Sequence, residues 1–242
     1  MPGLVNGVIL RLTFRATMGR RRALLFALPA IILIAVAAVL TATAKSGSWQ
    51  AEFLGDFGFS VVLPLTSLII GTSVLGAEID DGSIVHLLAT PVPRAQVVLS
   101  KFAVAAALTI AFGAVPEYLA AAIAKGPASG LAVGLLAGAL VAAVIYNAVF
   151  VMLSVLTTRA IAVGLLYLVV WEGLLANLVP GVKLLSVSQY SLSVANSIAH
   201  YPALHAHLTL GTAAALAVIV TAAALVIGTR RLSRFSITGD AA

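Results

Sequence analysis

Cysteine is absent from the 242 residues of this chain. The chain therefore has no disulfide framework, no thiolate metal ligand and no thiol nucleophile. Charge is scarce too: Asp, Glu, Lys and Arg make up 9% of residues, against about 25% in a soluble domain. No polar linker divides the apolar runs, so the sequence reads as one unit. It also lacks a G-x-x-x-x-G-K-[ST] phosphate loop, the signature of one large class of ATP-binding chains. Hydrophobic residues reach 62%, where soluble domains hold about 45–50%. A soluble protein of this size has too few polar groups to cover that much apolar surface; a bilayer removes the need.

The net charge of +6 does not point to nucleic acid. The basic residues sit beside apolar segments, and no basic face with interleaved aromatics is present.

Crossing the hydrocarbon core takes about 20 apolar residues in a helix. Six stretches qualify: Ala23 to Ala44, Phe57 to Ala77, Val97 to Ala124, Leu131 to Leu156, Ile161 to Val179 and Leu208 to Gly228. The expected fold is all-α, a polytopic membrane protein with one transmembrane domain over residues 1–242. With the N-terminus in the cytoplasm, Arg11, Arg15, Arg20, Arg21, Arg22, Arg94, Arg159, Arg230, Arg231 and Arg234 all fall inside, as does Lys101. Only Lys45, Lys125 and Lys183 fall outside, so the positive-inside bias is 11 to 3. Both termini are then cytoplasmic.

Arg20-Arg21-Arg22, an apolar run and Ala42-Thr43-Ala44 resemble a secretory signal with a small-residue cleavage site. The run is longer than a signal core, and it reads as a retained first span. Ahead of it, in a leader over residues 4–20, Val5, Val8, Ile9, Leu12 and Ala16 recur at helical spacing while Arg11, Arg15 and Arg22 share another side. That is the pattern of an interfacial helix on membrane lipid, with arginines at anionic headgroups.

Between the second and third spans runs Glu78-Ile79-Asp80-Asp81-Gly82-Ser83-Ile84-Val85-His86-Leu87-Leu88-Ala89-Thr90-Pro91-Val92-Pro93-Arg94. An Asp or Ser at its start suits a helix N-cap. Gly82 permits the break after the span. Ile84, Leu87 and Leu88 form an apolar stripe at i, i+3 and i+4, and Pro91 and Pro93 stop the helix. The spacing predicts a short amphipathic helix over residues 82–90. A helix this short needs a surface to pack against, membrane or partner protein.

Glu78-x-Asp80-x-Gly82-Ser83-x-x-x-Leu87-Leu88-x-x-Pro91-Val92-Pro93-Arg94, followed by Lys101, resembles the first cytoplasmic loop of type-2 ABC exporter permeases. The family pattern is an acidic pair, Gly-Thr, Leu-Leu, a Pro-Val-Ser-Arg turn and a Lys opening the next span. Ser83 and Pro93 depart mildly from it. The resemblance implies that Glu78, Asp80, Asp81, Gly82, Ser83, Ile84, Leu87, Leu88, Pro91 and Arg94 form a coupling helix and its flanks, docking on a nucleotide-binding subunit. It implies a second permease chain, identical or related. It also implies that ATP and Mg are bound by the partner ATPase and that this chain binds no cofactor. A bacterial inner membrane is the expected location.

Intramembrane acids cost several kcal/mol to insert and are functional candidates by default. Glu117 follows Pro116 in the third span, Glu172 follows Trp171 in the fifth, and Tyr146 and Asn147 adjoin in the fourth. These four are candidates for a substrate path. Each has a plainer reading: Glu117 marks a polar outer end, and Asn147 is a hydrogen-bonding link between helices. Residues 180–207 read as an outer re-entrant or interfacial segment. Its His200, His205 and His207, loosely spaced and without Cys or a nearby carboxylate, do not make a metal site. Gly134 and Gly138 form a small-xxx-small pair, which suits either internal packing or a dimer seam.

The alternative function is a proton-coupled secondary transporter using Glu117 or Glu172, which inverted repeats would favour and which the two halves do not display. A lipid-modifying membrane enzyme would need more clustered acids than Glu78, Asp80 and Asp81.

Overall fold

The computed structural model describes residues 5–43, 49–80, 92–178, 180–201, 204 and 206–233. Those residues are almost entirely helical and include no strand. We number the helices α1 (Gly7–Thr17), α2 (Arg20–Thr43), α3 (residues 49–80), α4 (Arg94–Lys125), α5 (Gly130–Leu156), α6 (residues 160–178), α7 (Val187–Ala199) and α8 (Leu210–Ser233). Three of them change pitch along their length. π-Helical turns occupy Leu54–Val62 of α3, Ile110–Ala114 of α4 and Tyr167–Leu175 of α6.

Local chemistry sets the ends. Asn6 caps α1 by accepting from the Val8 N–H at 3.0 Å, and Ser129 caps α5 by accepting from the Ala132 N–H at 3.2 Å. Gly126 ends α4 with φ of 94°, a left-handed conformation that favours glycine. Inside the helices, hydroxyls turn back onto the preceding turn. Thr66 donates to the Val62 carbonyl at 2.7 Å and Thr72 to the Leu68 carbonyl at 2.6 Å, so neither is left unsatisfied in an apolar setting.

Among the described residues, five helices are long and apolar enough to cross a membrane: those over 22–43, 54–76, 94–125, 130–156 and 210–233. The expected fifth span, 161–179, falls on α6. Its apolar portion, Ala160–Leu175, is shorter than the other five. The chain is a polytopic all-α membrane protein.

α5 is the central helix, packed by α3, α4, α7 and α8. The α3, α4 and α5 spans bury 72%, 61% and 61% of their most apolar windows, whereas α2 and α8 bury 22% and 17%. α2 and α8 therefore turn Leu24, Leu28, Ile31, Val218 and Ile219 outward, as helices bathed in lipid do. α1 buries Ile9, Thr13 and Thr17 against α4 and α3 and leaves Val8 and Leu12 exposed beside Arg11 and Arg15. Ile9, Phe26, Val74, Val98, Val155 and Leu232 share one apolar cluster. It gathers α1, the start of α2, the end of α3, the start of α4 and the ends of α5 and α8 at one end of the bundle. We call this the arginine-rich end, after Arg11, Arg15, Arg94, Arg159, Arg230 and Arg231.

α7 does not lie outside the bundle. It runs antiparallel to the first half of α5, with Ala199 beside Gly134 and Ser191 beside Gly138. A Cβ at Gly134 would sit 2.5 Å from the Ala195 carbonyl oxygen, and one at Gly138 would sit 2.5 Å from that of Ser191. The glycine pair thus serves internal packing, because only hydrogen fits where α7 backbone rests on α5.

Candidate functional site

The arginine-rich end holds the base of the first loop. α3 closes on Glu78 and Asp80, and α4 opens on Arg94 after extended Pro93. Asp81, Gly82, Ser83, Ile84, Leu87, Leu88 and Pro91 lie outside the described residues. Below them, the Lys101 ammonium donates to Glu78 Oε1 at 2.6 Å and to the Val74 carbonyl at 2.8 Å. Val74 and Glu78 are one helical turn apart, so the ammonium spans a turn of α3. The Lys101 side chain is 1% exposed and that of Glu78 32%. Val74, Val97, Val98 and Val104 belong to the apolar cluster around the pair. A charge-assisted hydrogen bond in such a setting is short and directional. One residue back, the Asn6 N–H donates to Ser100 Oγ at 2.9 Å, which fastens the α1 leader beside Lys101. The leader and the two helices that flank the loop are therefore joined at one place.

Glu172 occupies a second polar place. It is 7% exposed and accepts four hydrogen bonds. Oε1 receives the Val187 N–H at 2.8 Å and the Tyr167 hydroxyl at 3.0 Å; Oε2 receives Ser186 Oγ at 2.6 Å and Ser188 Oγ at 2.9 Å. Ser186 is the N-cap of α7, so the carboxylate sits on a helix N-terminus, where negative charge is favoured. Tyr146 joins the same neighbourhood. Its ring stacks on Phe150 at 5.9 Å, and Phe150 meets Tyr167 edge-on at 6.5 Å. Here Glu172 pins the start of α7 to α6.

Asn147 is fully buried and links helices. Its Nδ2 donates to Thr109 Oγ1 of α4 at 2.8 Å and to the Ala143 carbonyl of its own helix at 2.7 Å.

Glu117 differs from both. It is 1% exposed, and neither oxygen has a hydrogen-bond partner among the described residues. Both oxygens lie over the α-carbon of Gly58, where a side chain at position 58 would be. From Thr109 to Glu117 is about 12 Å along α4. The four candidate path residues thus occupy three places: Tyr146 with Glu172, Asn147 with Thr109, and Glu117 with Gly58.

Several partners escape sequence reading. Tyr167 and Glu172 are five residues apart, about 140° round an α-helix. The π stretch Tyr167–Leu175 brings i and i+5 onto one side. Lys101 and Glu78 are 23 residues apart, on opposite sides of a loop. Ser186 carried a usable signal, a serine directly before an apolar helical run. Among the described residues no group of three His, Asp or Glu side chains is placed to hold a metal ion.

A family model described as ABC-2 family transporter protein matches residues 18–182, more than half of the chain. No curated protein matches the chain significantly.

Proposed function

Since the chain belongs to the ABC-2 transporter family, whose members are transmembrane permease subunits, we propose that it forms the membrane path of an ATP-driven exporter and draws its energy from a separate ATPase subunit. The reading places both termini on the cytoplasmic side with the arginine-rich end. The loop helix over residues 82–90 then docks on the nucleotide-binding subunit through Ile84, Leu87 and Leu88, flanked by Asp80, Asp81 and Arg94. A second permease chain completes the assembly, and ATP and Mg are held by the ATPase.

The observation that carries this reading is the Lys101–Glu78 ion pair at the base of the loop. A loop that receives a push from a docked subunit transmits it only if the helices on both sides move with it. Lys101 locks α4 to the last turns of α3 by two hydrogen bonds, and Asn6 ties the leader to the same turn. Displacement of the loop is therefore delivered to α3 and α4 together. These helices flank α5 and carry the π stretches 54–62 and 110–114, and π turns recur where helices do functional work.

Replacing Leu87 and Leu88 together by Asp puts two charges into the apolar stripe of the loop. The expected result is a chain that inserts normally while transport-coupled ATP hydrolysis falls to the background of the ATPase alone, measured in proteoliposomes holding both subunits. Unchanged coupled hydrolysis would remove the loop from the mechanism.

A further inference from the structure

The carboxyl group of Glu117 is the one feature above that neither packing nor the coupling path employs. A carboxylate enclosed in a bilayer-spanning helix is stable only if it is neutralised or meets a donor or cation. Glu78 and Glu172 obey this rule with an ammonium and with four donors. Glu117, more deeply buried than either, has no hydrogen-bond partner among the described residues. Its nearest basic residue along α4, Lys125, lies two turns on and is exposed, about 12 Å away along the helix.

The surroundings point to the missing partner. Glu117 rests on Gly58, at the end of Glu52-Phe53-Leu54-Gly55-Asp56-Phe57-Gly58 in α3. In this segment Glu52 and Asp56 are exposed, and Phe53 and Phe57 are half-buried and stacked at 5.3 Å with 18° between their planes. Both α-helical Trp49–Phe53 and the π stretch that follows pack on the Val115–Lys125 part of α4. From the end of the bundle opposite the arginines, the exposed Glu52 and Asp56 alternate with the stacked Phe53 and Phe57, and the buried Glu117 carboxyl lies over the bare backbone of Gly58 that follows. Carboxylates attract a cation, aromatic faces bind an organic ammonium or phosphonium through cation–π attraction, and an apolar wall suits its hydrocarbon substituents. A metal ion is disfavoured there, because among the described residues no group of three His, Asp or Glu side chains is placed to hold one.

We propose that Glu117, Gly58, Phe53 and Phe57, with Glu52 and Asp56 at the mouth, form a binding site for lipophilic organic cations. Glu117 is the buried anion of that site, and a cation enters when the Leu54–Val62 and Val115–Lys125 segments part. The proposal gives the permease reading a substrate class and rests on that reading for its meaning in transport. The binding itself requires neither ATP nor an ATPase.

The test uses two probes of one shape and opposite charge, tetraphenylphosphonium and tetraphenylborate, on the purified full-length chain in lipid nanodiscs. The wild-type chain is expected to bind tetraphenylphosphonium saturably and to bind tetraphenylborate no better than empty nanodiscs do. Glu117→Gln, close to isosteric and free of the buried charge, is expected to weaken tetraphenylphosphonium binding by at least about tenfold. Equal binding of both probes by wild type, no saturable phosphonium binding, or undiminished binding by E117Q would each overturn the proposal. Should E117Q not purify intact, the comparison of the two probes on wild type still decides. A chain that binds the cation but recruits no ATPase would fail the permease reading alone. A chain that recruits an ATPase but ignores the cation would fail this one alone.

Discussion

Glu78→Ala is expected to destabilise the purified chain by about 3–5 kcal/mol, and Lys101→Met to cost distinctly less, about 1 kcal/mol. The asymmetry follows from exposure. Lys101 is 1% exposed, so losing Glu78 strands a buried ammonium with the Val74 carbonyl as its remaining acceptor among the described residues. Glu78 is 32% exposed, so losing Lys101 leaves a carboxylate that water reaches. Methionine fills the lysine's volume with apolar atoms that suit the Val74, Val97, Val98 and Val104 cluster. The double variant Glu78→Ala, Lys101→Met is therefore expected to recover most of the stability lost in Glu78→Ala. Thermal unfolding in one detergent, followed by size-exclusion chromatography after heating, orders the midpoints as wild type, then Lys101→Met and the double variant close together, then Glu78→Ala well below. Equal losses for both single variants would mean that the pair is not the buried-donor arrangement described here.

Glu172→Ala is expected to loosen α7 without unfolding the bundle. Four donors lose their acceptor at once. The hydroxyls of Ser186 and Ser188 can turn towards each other, already 2.9 Å apart, but the Val187 N–H belongs to a fixed helix terminus. A buried donor left unsatisfied costs about 1–3 kcal/mol, and removal of negative charge from the helix start adds about 0.5–2. The total of about 1.5–5 kcal/mol is concentrated where α6 meets α7. Glu172→Gln keeps one acceptor oxygen and should lose about half as much. Hydrogen–deuterium exchange reads this locally: amides 187–190 are expected to exchange at least about tenfold faster in Glu172→Ala, with α2 unchanged. If exchange in α7 stays at wild-type rates while transport falls, Glu172 acts on substrate and does not hold α7.

The all-α membrane fold was legible because it follows from composition: 62% hydrophobic residues in long uninterrupted runs leave helices as the economical way to satisfy the backbone in lipid. The family resemblance was legible because its signal is local, a run of acids, Gly, Leu-Leu and Pro-Val-Pro-Arg between two apolar stretches. Asn147 could be read as an interhelical link from its type alone, though not its partner Thr109, 38 residues away. Gly134 and Gly138 announced a close approach but not the approaching helix. That needed α7 to pack on α5, and the reading of residues 180–207 as a re-entrant or interfacial segment does not say which span it meets. The Glu172 cluster was hidden for a different reason. Its i, i+5 pairing exists only in a π turn, and α-helical periodicity places Tyr167 and Glu172 on different faces. Glu117 was visible as an intramembrane acid. Its lack of a hydrogen-bond partner among the described residues became visible only in the fold, with Gly58 placed against it.

The central claim, a permease subunit driven by a separate ATPase, is tested most directly by purifying the tagged chain from its native membranes in mild detergent and identifying what accompanies it. The account predicts a stoichiometric soluble subunit bearing a phosphate-binding loop, lost when Leu87 and Leu88 are replaced by Asp. A chain recovered alone that transports in liposomes under a proton gradient would contradict it.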